Sequence, residues 1–164
     1  MEDRDYMLAA LELAREAAAD GEVPVGCVIV RRGEIVGRGR NRREADKSAL
    51  AHAEIEAIGQ ACRELGGWRL WECTLYVTLE PCSMCAGAIL NARIPRVVYG
   101  ASDSKFGAVR SVCSLFDMAF NHHPQVEAGI REAEAAALMT EFFQNLRLEL
   151  RSRPKWRKPD SQDR

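Results

Sequence analysis

The sequence predicts an α/β layered domain, and three observations carry that prediction. A hairpin pattern occupies residues 25–37, strand and helix patterns alternate between 74 and 100, and helical periodicity marks both ends of the chain. With 164 residues, 47% of them apolar, the chain suits one domain with a full core and is not a disordered polymer. We place a single domain over residues 1–150 and a basic tail over 151–164.

Each element has a local reason. Residues 5–19 set Tyr6, Ala10, Leu13, Ala14 and Ala17 on one helical face, with Asp3 or Asp5 to cap the start and Gly21 to end it. Residues 25–30 are β-rich, Arg31-Arg32-Gly33-Glu34 reads as a turn, and Ile35 opens a second strand. A polar loop follows over 40–49. Residues 51–65 have helical composition and stop at Gly66-Gly67. Residues 74–78 form a strand of β-branched and aromatic side chains, and 81–91 a helix with Pro81 near its first turn, where a missing N–H costs nothing. Another strand spans 96–100. Residues 101–125 read as a long loop with a short helical piece, a length that marks functional or mobile segments. A short edge strand over 126–130 precedes a helix over 131–151, whose expected buried stripe is Ala136, Met139, Phe143, Leu146 and Leu150. The order of the strands does not follow from these patterns.

Composition narrows the classes. The opening Met1-Glu2-Asp3-Arg4-Asp5 lacks the basic-then-apolar order of a signal peptide, and no apolar run approaches the ~20 residues of a membrane span. The expectation is a cytoplasmic protein without a membrane partner. Disulfides are unusual in that compartment, so Cys27 reads as a small core residue and Cys62, Cys73 and Cys113 as free thiols. The net charge of −1 announces no nucleic-acid partner. Its distribution is less even: between Arg147 and Arg164, seven basic residues face three acidic ones, giving +4. Such a tail meets phosphate or is a solvated end.

Two short segments carry chemistry: Ala51-His52-Ala53-Glu54 and Glu80-Pro81-Cys82-Ser83-Met84-Cys85. At a helix start, Cys82 and Cys85 share a face, and the positive helix terminus favours the thiolate that zinc binds. By spacing alone, the pair is equally a redox couple. His52 would complete an N/S/S set, and three protein ligands leave zinc a fourth position for water, the pattern of a catalytic site. Zinc brings the pKa of such a water to ~7. Glu54, two residues on, does not share a face with His52 on a regular helix, so both reach one place only at the helix terminus. There Glu54 would sit beside the water as a proton carrier rather than as a ligand. Taken singly, the His reads as a core residue and the Glu as a partner of the helix dipole.

H-x-E joined to P-C-x-x-C resembles the cytidine/deoxycytidylate deaminase superfamily. Within it, the likeness is to the bacterial tRNA-specific adenosine deaminases. It is carried by Glu22-Val23-Pro24-Val25-Gly26, Asn41-Arg42, Ala51 to Ile55, Thr74 to Ala88, Arg96 to Ala101, Asp103, Lys105, Gly107, Asn121-His122 and Phe142-Phe143. The resemblance implies a three-layer α/β/α sandwich around a mixed five-stranded sheet. It implies one Zn2+ per chain on His52, Cys82 and Cys85, with Glu54 catalytic. The implied reaction is hydrolytic deamination of adenosine to inosine at the wobble position of a tRNA anticodon. Asn41 would hydrogen-bond the base, and Ala53 would line the base site. Asp103 would meet the loop backbone or a ribose hydroxyl, and Phe143 and Arg147 the flanking nucleotides. Homodimers with a shared RNA surface are implied as well. Each of these residues has a plainer role open to it: Asn41 in its loop, Asp103 as a cap, Phe143 in the core, His122 in a loop. The departures from the family pattern are Phe106 and Arg110, where small residues are usual, and His122-His123-Pro124-Gln125.

Three other functions fit part of the pattern. A deaminase of a free base or nucleoside (guanine, cytosine or deoxycytidylate) would use the same metal chemistry. A non-catalytic zinc-stabilised RNA-binding module would have no use for Glu54. A thiol redox protein would use Cys82 and Cys85 without metal.

Overall fold

The computed structural model describes residues 1–154, so the tail residues Lys155, Arg157, Lys158 and Arg164 lie outside the described part. Its elements are α1 (Asp3–Ala19), β1 (Gly26–Arg31), β2 (Glu34–Arg40), α2 (Ala53–Leu65), β3 (Cys73–Leu79), α3 (Ser83–Ala92), β4 (Arg96–Ala101), β5 (Gln125–Ala128) and α4 (Glu132–Ser152), with one 3-10 turn at Leu115–Asp117. The helix α4 therefore runs on past residue 150. No helix among the described residues is long and apolar enough to cross a membrane.

The five strands form one sheet in the order β2-β1-β3-β4-β5. β1 pairs antiparallel with β2 and β3, whereas β3–β4 and β4–β5 are parallel. The sheet is thus mixed, and α3 is the crossover between two parallel neighbours. Because strand side chains alternate, the two faces feed two cores. Cys27, Ile29, Leu75, Val77, Val97 and Tyr99 pack with α2 and α3, while Val28, Val30, Tyr76 and Val98 pack with α1 and Ala135 of α4. This is the expected three-layer α/β/α sandwich.

Two local differences from the sequence reading are informative. At α1, Glu2 rather than an aspartate is the N-cap, joined to Asp5 in a capping box. Asp3 is taken instead by Arg96 and Tyr76. At α4, the inward face is Ala135 with half-buried Leu138, Met139, Phe142 and Leu146, whereas Ala136, Phe143 and Leu150 are exposed. The phase is set by close packing: a Cβ placed on Gly100 of β4 would lie 3.0 Å from the Ala135 Cβ. One residue is about 100° of helix rotation, so this single contact re-aims the whole stripe.

The helix α2 lies tight against β2 because Gly37 and Gly39 offer no side chain there. A Cβ on Gly39 would collide with the Ala53 carbonyl, and one on Gly37 with that of Ala57. The contact at Gly39 fixes the first turn of α2, where His52 and Glu54 sit. The helix ends at Gly66, whose φ of 72° is the left-handed conformation a C-cap uses.

Candidate active site

Two helix N-termini converge at one end of the sheet. His52 is the N-cap of α2 and Cys82 the N-cap of α3, with Cys85 one turn further in. Pro81 stands just ahead of that cap. The His52 Nδ1 lies 3.6 Å from the Cys82 Sγ and 3.5 Å from the Cys85 Sγ. All three donor atoms fall within 4.8 Å of one another, the one such group of metal-ligating side chains among the described residues. Zinc bonds of ~2.0–2.1 Å to nitrogen and ~2.3 Å to sulfur at tetrahedral angles require N···S separations of about 3.5 Å. The donor set and its spacing therefore fit one zinc ion.

The protonation energetics point the same way. A hydrogen bond from the Cys85 thiol, helped by His52 and opposed by burial, pulls the Cys82 thiol down to about 4. The Cys85 thiol goes up, because Cys82 holds its proton and burial disfavours its anion. The two thiols are thus pushed in opposite directions by each other, and a divalent cation in that place would favour the ionised form of both. His52 is raised first by its hydrogen bond to Cys82.

Glu54, 4% exposed, is not a member of the ligand group. Burial raises its carboxyl, with its own amide and the Cys85 thiol opposing. A carboxyl whose affinity for protons is raised toward neutrality suits proton transfer. The other two histidines are engaged elsewhere: His122 Nε2 meets the Ile94 carbonyl at 2.6 Å and His123 Nδ1 the Phe116 carbonyl at 2.7 Å. Neither joins the ligand group.

A cavity of about 430 Å³ opens over this group. Of the residues singled out from sequence, Asn41, His52, Ala53, Glu54, Cys82, Asp103 and Phe143 line it, whereas Arg147 does not and Cys85 lies buried behind it. Asn41 is engaged with backbone at both ends: its Nδ2 donates to the Val23 carbonyl and its Oδ1 accepts from the Arg43 amide, each at 3.2 Å. Asp103 Oδ1 accepts from the amides of Lys105 and Phe106, as a cap would. Phe143 is 39% exposed and stacks edge-on against Phe142 with ring centres 5.3 Å apart. Another hollow, of about 330 Å³, lies beside Trp68, Arg69 and Trp71, near the start of β3. His52, Cys82 and Glu54 line the first cavity and not the second.

Sequence reasoning assigned no role to several lining residues, among them the polar Arg43, Glu80 and Ser83. Glu80 had one signal, a charged residue closing the apolar strand Thr74-Leu75-Tyr76-Val77-Thr78-Leu79. It is 2% exposed. Burial pushes its carboxyl up, but the Ser111 hydroxyl and the amides of Arg110, Ser111 and Asp103 outweigh that and hold it below the usual range.

Comparison with known proteins agrees with this geometry. The profile of the MafB19-like deaminases matches residues 1–147. A tRNA-specific adenosine deaminase of Streptococcus pyogenes serotype M1 is 49% identical over 145 residues, 87% of this chain and 85% of that one. The chain belongs to the tRNA-specific adenosine deaminase family. A solved structure from work on A-to-I editing by tRNA:A34 deaminases at the wobble position of transfer RNA matches at 47% identity. Its TM-score is 0.79, over 82% of this chain and 98% of that one. A guanine deaminase from Nitrosomonas europaea shares the fold at a TM-score of 0.69 and 26% identity, over 85% of this chain and 83% of that one.

Proposed function

We propose that this protein hydrolyses adenosine to inosine at the wobble position of a tRNA anticodon, consuming water and releasing ammonia. The observation that carries the reading is the convergence of His52, Cys82 and Cys85 at two helix termini, with buried Glu54 in the same cavity. The relatives at about half identity supply the substrate class.

His52, Cys82 and Cys85 would hold one zinc ion, which when bound supplies a Lewis acid that activates water near neutral pH. The chain's own residues do the rest. Glu54 takes a proton from the attacking water and passes protons to the adenine ring nitrogen and the departing amine. Its burial favours the protonated form that the transfer passes through. Ala53 packs under the base. Asn41 spends one N–H on Val23, and we assign its second N–H to the base. We assign Asp103 Oδ2 to a ribose hydroxyl or the loop backbone, and Phe143 and Arg147 to the nucleotides on either side.

An anticodon loop is the substrate such a cavity needs. Adenine stacked inside a duplex cannot present C6 to a recessed site, whereas a loop offers bases already largely unpaired. We further propose that the protein works as a cytoplasmic homodimer. Phe106, Val112, Met118 and Phe120, apolar side chains of one chain segment that are between 48% and 70% exposed, support this as groups a partner subunit would cover. The test is incubation of purified protein with an anticodon stem-loop carrying a wobble adenosine, read as inosine, with guanine, cytosine and deoxycytidylate in parallel. Deamination of the stem-loop is expected. Turnover of a free base or nucleotide with none of the stem-loop would overturn the reading.

A further inference from the structure

We propose that Glu80 is the positioning residue for the substrate-facing loop 103–111, anchoring its backbone to the strand end that delivers Cys82. This inference rests on the deaminase reading given above.

Glu80 sits directly after β3 and two residues before Cys82. Its Oε1 accepts from the Asp103 amide at 3.2 Å and from the Ser111 hydroxyl. Its Oε2 accepts from the amides of Val109, Arg110 and Ser111 at 3.2, 3.0 and 3.0 Å. Both ends of one loop therefore close on one carboxylate. Among the described residues no cation pairs with Glu80. Its charge is met by backbone dipoles and one hydroxyl, the arrangement that lets a carboxylate stay buried and ionised. No neutral side chain of this length offers two acceptor oxygens and no donor.

The loop is shaped around that anchor. The Gly107 amide bonds the Asp103 carbonyl at 2.9 Å, and the Ala108 amide bonds the Pro81 carbonyl at 2.9 Å. A Cβ on Gly107 would strike the Glu80 carboxylate, so only glycine lets the chain pass so close. Asp103, at one anchored end, and Phe106, between the two, line the cavity. Cys82 is set by the same few residues of chain. The loop that grips substrate and the ligand that sets the metal are thereby held in one frame, so loosening the loop weakens the grip on substrate while the metal ligands stay in place.

The experiment is Glu80→Gln, which keeps the shape but puts an NH₂ among five donors. A milder variant, Ser111→Ala, removes one donor and leaves the carboxylate. Three quantities are read: zinc content, kcat and KM on the anticodon stem-loop, and hydrogen exchange of the loop amides. For Glu80→Gln we expect full zinc, a KM raised by about tenfold or more, and a kcat within about threefold of the parent. Amides of Asp103, Val109, Arg110 and Ser111 should exchange faster, with those of α2 and α3 unchanged. Ser111→Ala should move KM and exchange in the same direction by less, and it decides the matter if Glu80→Gln does not fold. Faster exchange at unchanged KM would reduce Glu80 to a purely structural residue, and a fall in kcat at constant KM would place it in the chemistry. Either result overturns the proposal, as does unchanged exchange. A parent protein inactive on the stem-loop would sink the functional reading, yet the exchange comparison would still decide whether Glu80 holds the loop.

Discussion

Glu54 and Glu80 line the same cavity and both are shut off from solvent, yet their surroundings push them in opposite directions. On the floor, Glu54 is raised because burial outweighs the help of its own amide and the Cys85 thiol. At what we call the rim, the loop 103–111 with its anchor, Glu80 is lowered because a row of amides and a hydroxyl outweighs its burial. Low solvent exposure alone therefore says little about what a carboxyl does; depth below the surface and the number of donors aimed at it decide together. A carboxylate saturated with donors is fixed in place and in charge, which suits an anchor. A carboxyl with few donors can gain and lose a proton, which suits catalysis.

The sharpest way to break this contrast is to remove the floor residue. Glu54→Gln keeps the volume and removes the titratable oxygen. Turnover should fall at least ~10²–10⁴-fold, the range of general acid–base catalysis, while bound zinc stays stoichiometric. Turnover unchanged at full zinc would mean that Glu54 moves no proton. Removal of zinc by a chelator should abolish turnover just as fully and be reversed by added zinc, which separates the metal's contribution from that of Glu54.

A smaller effect tests how tightly the floor is built. Gly39→Ala would set a methyl against the Ala53 carbonyl and shift the first turn of α2 away from β2. His52 and Glu54 ride on that turn, so a displacement of a few tenths of an ångström should lower kcat by roughly ten- to a hundredfold. Zinc affinity should fall with it, measured by competition with a chelator. An equivalent change at Gly87 of α3, where a Cβ meets nothing within 4 Å, should leave kcat where it is.

The floor was legible in the sequence and the rim was not, for a physical reason. His52, Glu54, Cys82 and Cys85 act through side chains, so their types and spacing record the chemistry. The helix and strand patterns then place them at termini. Glu80 acts on backbone amides, and the amides of 103–111 leave no mark in residue types, so its partners could not be read in advance. The stripe of α4 failed differently. Ala135 and Ala136 are the same residue in sequence, and the pairing of Ala135 with Gly100 that selects one over the other is a contact between distant segments. Strand order has the same origin: the parallel neighbours of β4 are set by tertiary packing, not by local pattern. Asp3 was read as a helix cap because its neighbours suggested one, whereas its partners are residues 76 and 96.

Asp3 provides the smallest effect and a control for the others. Its carboxylate accepts from both guanidinium nitrogens of Arg96 at 2.8 and 2.7 Å and from the Tyr76 hydroxyl at 2.7 Å, tying α1 to β4 and β3 far from the catalytic floor. The bond to Arg96, opposed by burial and helped by Tyr76, holds Asp3 below its ordinary value of 3.8. The folded state thus favours the ionised form. The resulting stability is full above the unfolded value and is lost as pH falls through the lower folded one. Both side chains are 32% exposed, so solvent screens the pair and Asp3→Asn should cost only about 0.5–1 kcal/mol at pH 7. In denaturant titrations that difference should shrink as the pH drops below the ordinary aspartate value, because the parent's own carboxylate is then protonated. Turnover below the melting range should be unaffected at every pH. A difference that persists undiminished into strong acid would assign the stabilisation to packing rather than to charge. A loss of turnover would mean that the far end of the sheet and the catalytic floor are mechanically coupled after all.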